Sequence, residues 1–288
     1  QLAMDACDLS DPDKPACDST FHTISASIGG LYRFTEELSA KLDLSTASRP
    51  PNTDEQYLNG TSPTFPVLGL GKPDLGAETT YAASLTGAYR DDRVTAEASL
   101  YANLIDNYIY FAPAIDAMGQ PIFDVTIRGA FPRFVTRPVD AVFYGADGGV
   151  AARPLPWLEL GAQASLVRAK NRTDDGYLVF VPPDRLRGSV TVKHAGSFAS
   201  VNGTFVRRQD RYDLAADFAA PPDAYFLLGA EVGTEMRVGN QTLKVAAHGS
   251  NLTNERYRDY TSLLRYFADQ PGWQLMLRIS SYWSSKKP

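Results

Sequence analysis

The sequence predicts an all-β fold, a transmembrane antiparallel up-and-down β-barrel wall of about eleven strands. Three observations predict it. Runs of about ten residues alternate between apolar and polar positions, which is the period of a strand with two different faces. The connections between these runs are alternately short and long, and aromatic residues lie near the run ends. No run approaches the roughly 20 apolar residues that a membrane-spanning helix requires.

Two segments show the alternation most clearly. Every second residue from Val94 to Leu104 is Val, Ala or Leu, and Leu158–Leu166 repeats the pattern with Leu and Ala. Runs of this length suit a tilted spanning strand of ~9–11 residues better than the ~5–6 residues of a soluble sandwich strand. Propeller repeats of ~40–50 residues are not visible. The predicted strands are 21–33, 37–48, 78–90, 93–110, 137–152, 157–170, 184–195, 197–210, 224–238, 241–251 and 272–283.

The connections between the predicted strands fall into two classes. Five are tight turns, at 34–36, 91–92, 153–156, 195–196 and 239–240. Five are long, at 49–77, 111–136, 171–183, 211–223 and 252–271. In transmembrane barrels the tight turns are periplasmic and the long loops lie outside. We therefore expect the last strand to end in the periplasm.

The odd strand number leads to an expectation about the domain. Bacterial single-chain barrels have an even number of strands, and an open sheet would leave unpaired edges in lipid. We therefore expect residues 1–288 to be the C-terminal part of a larger barrel whose first strands are absent from this sequence.

Composition and motifs argue against several other functions. A net charge of -5 gives no basic surface for nucleic acid. Nucleotide-binding, hydrolase and zinc-protease motifs are absent, and the histidines fall on three separate predicted strands. We predict no enzymatic activity, cofactor or metal site. The polar faces carry charged residues that we expect to line the lumen or contact a plug: Lys41, Glu97, Glu159, Arg185, Arg187, Lys193, Glu231 and Glu235.

The N-terminal segment is an acidic, proline-containing stretch with the only two cysteines. Cys7 and Cys17 have nine residues between them, and in an oxidising compartment we expect them to form a disulfide. Two free thiols are the alternative. The five aspartates of this stretch are expected to be solvated rather than to bind a divalent cation, because they lack the calcium-loop pattern.

Three segments resemble TonB-dependent outer-membrane receptors. LDLSTASRPPNTDEQYLNG (42–60) is similar to the family's basic-proline step into a long outer loop. KPDLGAET, which begins at Lys72, resembles the family's N-P-D-L-x-x-E-T segment. SNLTNERY followed by QPGW, within 250–273, resembles its closing N-L-x-N-x-x-Y…P-G motif, with Trp273 where the family usually has Arg. Trp283 resembles the terminal aromatic residue that the barrel-assembly machinery reads, although five residues follow it.

The resemblance implies a 22-stranded barrel of which this chain supplies the second half, with the plug and TonB box outside the sequence. It implies active import of a scarce ligand, with the metal-uptake branches favoured slightly. The implied partners are TonB with its inner-membrane energising complex, the receptor's own plug, the assembly machinery, and a bilayer containing lipopolysaccharide. A passive porin and a structural or adhesive outer-membrane protein remain alternatives.

Ligand capture is expected in the long loops at 49–77, 111–136 and 252–271. The candidate contacts are chosen for loop position and for aromatic or basic character. They are Tyr57, Phe65, Phe131, Arg133, Tyr260 and Tyr266, with Arg137 as a further residue able to meet an anion.

Overall fold

A computed structural model describes residues 20–61, 66–239 and 241–283. The described part of the chain contains one short helix, α1 (Thr53–Tyr57), and 3-10 turns at Leu214–Ala216 and Leu263–Tyr266. No helix in these residues has the length and apolar character needed to cross a membrane. The strands are β1 (Ala26–Arg33), β2 (Leu38–Arg49), β3 (Asn59–Thr61), β4 (Leu68–Leu70), β5 (Glu78–Arg90), β6 (Val94–Pro113), β7 (Phe123–Thr126), β8 (Gly129–Leu155), β9 (Leu158–Asn171), β10 (Gly176–Tyr177), β11 (Arg185–His194), β12 (Ser197–Val206), β13 (Tyr225–Val238), β14 (Gln241–Ser250) and β15 (Gln274–Trp283).

Eleven of these strands form one continuous antiparallel wall. Their order is β1, β2, β5, β6, β8, β9, β11, β12, β13, β14 and β15, so each strand pairs with the next long strand along the chain. The predicted up-and-down arrangement is confirmed. The four short strands β3, β4, β7 and β10 lie in the long connections. Among the described residues β1 pairs only with β2 and β15 only with β14, so the wall is not closed.

The two faces of the wall differ as the alternation predicts. Leu42 pairs with Leu85, which pairs with Leu100, and these side chains are 49%, 49% and 59% exposed. A continuous row of exposed large apolar side chains is the surface that a bilayer covers, so we call this face lipid-facing. The opposite, inner face carries a polar row across six strands: Lys41, Thr86, Ser99, Asp147, Ser165 and Arg185.

Tight turns connect the strands at one end of the wall. The carboxylate of Asp91 accepts hydrogen bonds from the backbone N–H groups of Arg93 and Val94, at 2.7 and 2.6 Å. Ala195 and Gly196 have φ angles of 47° and 82°, the left-handed pair that a two-residue hairpin turn needs to match strand twist. All the long connections leave from the other end, so the predicted alternation of short and long connections is confirmed.

The predicted loop 111–136 is wrong in extent. β6 continues to Pro113 and β8 begins at Gly129, and the two strands stay paired from Phe111–Thr136 to Pro113–Phe134. A register shift between Ile105 and Tyr108, with Asn107 at a φ of 54°, resets the pairing above the lipid-facing band. Because the bulge breaks the alternation while the backbone pairing continues, the pattern in the sequence ends before the strands do.

The hydrophobic core lies at the long-loop end of the wall. Buried residues of β6, β8 and β9 pack there against residues 178–181. The hydroxyl of Tyr110 accepts a hydrogen bond from the backbone N–H of Val179 at 2.8 Å. This packing gives the long loops a folded base.

Candidate functional site

The long loops meet at a buried aromatic ring, Phe134 of β8, which is 0% exposed. Its centroid lies 5.3 Å from Phe218, 6.3 Å from Phe180 and 6.4 Å from Tyr266, and these three residues belong to three different connections. Edge and offset ring contacts at these distances are favourable beyond the area that they bury. We call the set Phe134, Phe180, Asp217, Phe218, Tyr260, Arg265 and Tyr266 the loop cluster.

A buried ion pair lies at the centre of the loop cluster. Arg265 donates to Asp217, and their side chains are 1% and 0% exposed. The hydroxyl of Tyr266 also donates to Asp217, at 2.5 Å. The guanidinium of Arg265 lies 4.2 Å from the centroid of Tyr266 and 4.5 Å from that of Tyr260. Two loops that are far apart in sequence are therefore joined by a desolvated, hydrogen-bonded charge pair.

Burial controls the ionisation of the two tyrosines in this cluster. It raises the pKa of Tyr260 to about 12, and the negative charge of Asp217 acts in the same direction. Burial first, and then Asp217, also raise the pKa of Tyr266. Both phenols are therefore neutral at physiological pH.

Arg49 and Glu78 hold the base of the first long connection. They are direct ladder partners, and Arg49 donates to both carboxylate oxygens of Glu78 at 3.2 Å. Arg49 also donates to Glu55 at 3.0 and 3.1 Å, and Glu55 closes a capping box with Asn52 at the start of α1. The backbone N–H of Ile109 donates to Glu78 at 2.9 Å. The first two of the three sequence segments with family resemblance thus meet in one ion-pair network.

The closing motif performs a similar task at the last connection. The side-chain oxygen of Asn251 accepts from the backbone N–H of Glu255 at 2.8 Å, and its amide donates to the carbonyl of Pro271 at 3.3 Å. Asn254 accepts from the backbone N–H of Trp273 at 3.2 Å. A Cβ on Gly272 would lie 2.3 Å from the Oδ1 of Asn254, so a larger residue at this position would displace the side chain that accepts this hydrogen bond.

A cavity of about 500 Å³ opens among the long connections. The guanidinium of Arg137 lies in its lining, 2.8 Å from Asp174 and 5.7 Å from the centroid of Tyr110. The other polar residues of its lining are Asn171, Tyr177 and three aspartates, Asp116, Asp174 and Asp213. The lining therefore combines two tyrosine rings with one half-exposed arginine and three carboxylates, so Arg137 is, among the described residues, its one basic partner for an anionic group.

The predicted ligand contacts occupy different environments. Tyr57 ends α1 and Phe131 lies in β8, and both side chains are partly exposed. Arg133 donates two hydrogen bonds to Asp124, which lowers the pKa of that carboxyl and engages the guanidinium within its own hairpin. The structure brings Tyr260 and Tyr266 together in the loop cluster, where Tyr260 is 3% exposed.

Four further predicted residues lie at the end of the wall or outside the described range. Trp283 is the last residue of β15, shares the lipid-facing side with Leu277 and Ile279, and is 79% exposed. Phe65 lies outside the described residues, as do Cys7 and Cys17. The disulfide therefore stays a prediction.

The inner face carries ion pairs and open charges. Glu159 accepts from Arg153 at 3.2 Å and from Lys193 at 3.0 Å. Further along the wall, Glu97, Asp147, Arg185 and Arg187 line one polar concavity of about 540 Å³. Within the described ranges, no group of three or more His, Cys, Asp or Glu residues is placed to hold a metal ion.

No local pattern in the sequence indicates the loop cluster. Asp217 and Arg265 are 48 residues apart, and each lies in a connection without alternation. Phe134 and Phe218 lie in predicted loops and belong to no sequence motif. Only the three-dimensional proximity of the loops shows that these residues form one unit.

An antiparallel wall with an apolar outward face, a polar inner face, tight turns at one end and packed loops at the other defines a transmembrane β-barrel. The family model described as TonB dependent receptor-like, beta-barrel matches residues 8–252. The chain belongs to this family.

Solved structures share the fold. The copper transporter OprC aligns with 90% of this chain and 39% of its own, at a TM-score of 0.70 and 16% identity. A mutant of the ferric enterobactin receptor PfeA from Pseudomonas aeruginosa aligns with 90% of this chain and 40% of its own, at 0.64 and 17%. The siderophore receptor PirA from Acinetobacter baumannii aligns over the same shares, at 0.62 and 15%. The chain therefore spans about 40% of the length of these structures.

Proposed function

We propose that this chain is part of the barrel wall of a TonB-dependent receptor that imports a metal complex, of the ferric siderophore class, across the outer membrane. The family match over residues 8–252, on a wall whose strands alternate as a membrane barrel requires, is the observation that carries the proposal. The whole receptor is proposed to have 22 strands, with this chain supplying half. Its two open edges would then pair with strands of the other half.

Within the outer cavity, Arg137 is the proposed contact for an anionic group of the complex, in a lining that also holds three carboxylates. Arg133 is held by Asp124, whereas Arg137 borders open space beside Tyr110. The guanidinium of Arg137 is available to exchange Asp174 for a ligand carboxylate or phenolate, because their ion pair is half exposed on both sides. Tyr57 and Phe131 remain proposed contacts on the same side of the wall. Tyr266 is proposed to contact ligand only from the rim of the loop cluster.

The inner face supports the proposed partnership with a plug. Its charged row includes Glu97, Asp147, Arg185 and Arg187 around one concavity, which a polar partner domain would fill. TonB, energised from the inner membrane, would act on that plug. The names of the similar structures, a copper transporter and two siderophore-type receptors, agree with a metal complex as the ligand class.

The proposal is tested by uptake in cells of the source bacterium. The gene for the full receptor is deleted, and uptake of radiolabelled iron and copper is measured with a panel of ferric siderophores, with and without an intact tonB gene. We expect one ferric complex to lose high-affinity uptake in both deletions. Uptake that needs the receptor but not TonB would indicate a porin, and unchanged uptake of every probe would indicate a structural or adhesive protein.

A cavity variant tests the capture site. Arg137→Gln in the full receptor should weaken binding of the imported complex by about tenfold, because one charged hydrogen bond contributes roughly 1.5–3 kcal/mol. Arg128→Gln, an exposed arginine of the β7–β8 hairpin, is the matched control. Equal binding by the two variants would remove Arg137 from the capture site.

A further inference from the structure

Basic side chains collect on the lipid-facing side at the outer ends of β9 and β12. On β9 this face carries Leu158, Leu160, Ala162, Ala164 and Leu166, and then Arg168 and Lys170. The apolar part spans nine residues, which matches the length of a tilted spanning strand of ~9–11 residues. The charges therefore begin where the hydrocarbon layer ends.

Backbone pairing brings a third basic residue to the same place. The backbone N–H of Arg207 donates to the carbonyl of Asp184 at 2.9 Å, which extends the β11–β12 ladder by one residue pair. Asp184 and Arg207 thereby follow Leu186 and Phe205 on the lipid-facing side, because alternate residues share a face. Arg168, Asp184 and Arg207 come from three adjacent strands.

Asp184 fixes the arrangement of these side chains. Arg168 donates to both of its carboxylate oxygens, at 2.5 and 3.0 Å, and Arg207 lies 3.8 Å away. Lys170 is exposed and, among the described residues, its ammonium has no hydrogen-bond or ion-pair partner. Arg207 is 54% exposed and also pairs with Asp210. Lys170, Arg168 and Arg207 carry one more charge than the carboxylates of Asp184 and Asp210. Lys170 is the basic group that has no carboxylate partner in the described part of the chain.

We propose that Lys170, Arg168 and Arg207 form a binding site for the phosphate group of an anionic glycolipid in the outer leaflet. Arginine and lysine form charge-assisted hydrogen bonds with phosphate oxygens. The apolar side chains directly below, Leu166, Leu186 and Phe205, would contact the acyl chains of the same lipid molecule. Tyr144 is the ladder partner of Arg168 and Tyr177 that of Lys170, so aromatic rings flank the site at interface depth.

A water-soluble phosphate has the same headgroup chemistry but no acyl chain that could contact the apolar side chains below. Simple snorkelling of long basic side chains also places charge at an interface. Neither a soluble phosphate nor snorkelling explains why Asp184 orients the guanidinium of Arg168 through two hydrogen bonds between the more exposed Lys170 and Arg207. The site rests on the proposed placement of this wall in the outer membrane, but it does not depend on the imported ligand.

The test uses the full receptor purified in detergent and titrated with bisphosphorylated lipid A, followed by native mass spectrometry. Each basic side chain near an anionic lipid surface contributes about fivefold in affinity. Lys170→Gln/Arg207→Gln should therefore bind lipid A roughly 25-fold more weakly, and Lys170→Gln alone about fivefold. Lys41→Gln/Arg187→Gln removes the same charge from the inner face and should leave lipid binding unchanged.

Two comparison probes separate the lipid from other sources of phosphate. Lipid A without its phosphates should bind the wild-type receptor no more tightly than intact lipid A binds the double variant. Inorganic phosphate at the same concentration as lipid A should not displace the lipid. Equal binding of wild-type and variant, or equal binding of the dephosphorylated lipid, would overturn the proposal. Displacement by inorganic phosphate would assign the site to a soluble anion instead. Lost uptake with normal lipid binding bears on ligand import alone.

Discussion

At the scale of single residues, the segments that resemble the receptor family are structural supports. Arg49 and Glu78 bridge the first two strands of the wall that flank a long loop, and Asn251 and Asn254 bind the backbone of the last connection. Such residues are specific in sequence because each needs a defined partner and geometry. They identify the barrel, and they leave the ligand undefined.

Glu78→Ala tests the first support. It removes two hydrogen bonds from Arg49 and leaves the N–H of Ile109 without its acceptor, so the free energy of unfolding should fall by about 2–3 kcal/mol. Asp54→Asn, in the exposed first turn of α1, should change it by less than about 0.5 kcal/mol. Urea unfolding of the receptor in detergent measures both. Similar stability of the two variants would contradict the structural role of Glu78.

The ion pair of the loop cluster has a distinct signature in a double-mutant cycle. Asp217→Ala leaves Arg265 buried without its counter-charge, which should destabilise the packed loops by about 3–5 kcal/mol. Asp217→Ala/Arg265→Leu removes both charges and should recover part of that loss. The rate of limited proteolysis in residues 251–273 reports loop opening. If the double variant is cleaved as fast as the rate increases of Asp217→Ala and Arg265→Leu multiplied together, the two residues are not coupled.

The raised pKa of Tyr260 predicts an alkaline limit for the same cluster. A tyrosine in an opened loop loses its proton near pH 10, whereas burial raises the pKa of Tyr260 to about 12 in the packed loops. Its contribution to stability is therefore complete below pH 10 and is lost as the pH rises through 12. Protease sensitivity of the loops should increase over this window together with phenolate absorbance. Phenolate formation at pH 10 with the loops intact would contradict the buried placement.

At the scale of elements, close contacts across the inner face fix particular glycines in the strands. A Cβ on Gly145 would lie 2.5 Å from the hydroxyl of Tyr101 and 2.3 Å from the carbonyl oxygen of Leu166. The ring of Tyr101 therefore covers the gap that Gly145 leaves on β8. Gly188 on β11 has no atom within 4 Å of the same position.

These two glycines give a matched pair of substitutions. Gly145→Ala should destabilise the receptor by about 1–3 kcal/mol, because a backbone oxygen cannot move aside as a flexible side chain can. Gly188→Ala should be neutral or stabilise by up to about 1 kcal/mol, since alanine restricts the unfolded chain. The thermal midpoint of each variant in detergent provides the comparison. Equal midpoints would show that Tyr101 does not pack over Gly145.

At the scale of the whole molecule, the wall could be predicted from the sequence and the loop cluster could not. Lipid on one side and polar contacts on the other impose the alternation from Leu158 to Leu166. Every spanning strand therefore shows the same alternation in its sequence. Outside the membrane band this requirement for alternation ends, although β8 begins there, at Gly129. Contacts such as Asp217 with Arg265 depend on loop closure over 48 residues, for which a single sequence carries no local pattern.

We propose that this chain is a membrane wall with its tight turns in the periplasm and its long loops outside the cell. Single cysteines at Asp92, in a tight turn, and at Ile127, which is fully exposed in the β7–β8 hairpin, test it in a receptor carrying Cys7→Ser and Cys17→Ser. A membrane-impermeant maleimide is applied to intact cells and to cells with a permeabilised outer membrane. We predict labelling of Ile127→Cys in both and of Asp92→Cys only after permeabilisation. Labelling of Asp92→Cys in intact cells, with Ile127→Cys protected, would contradict the account.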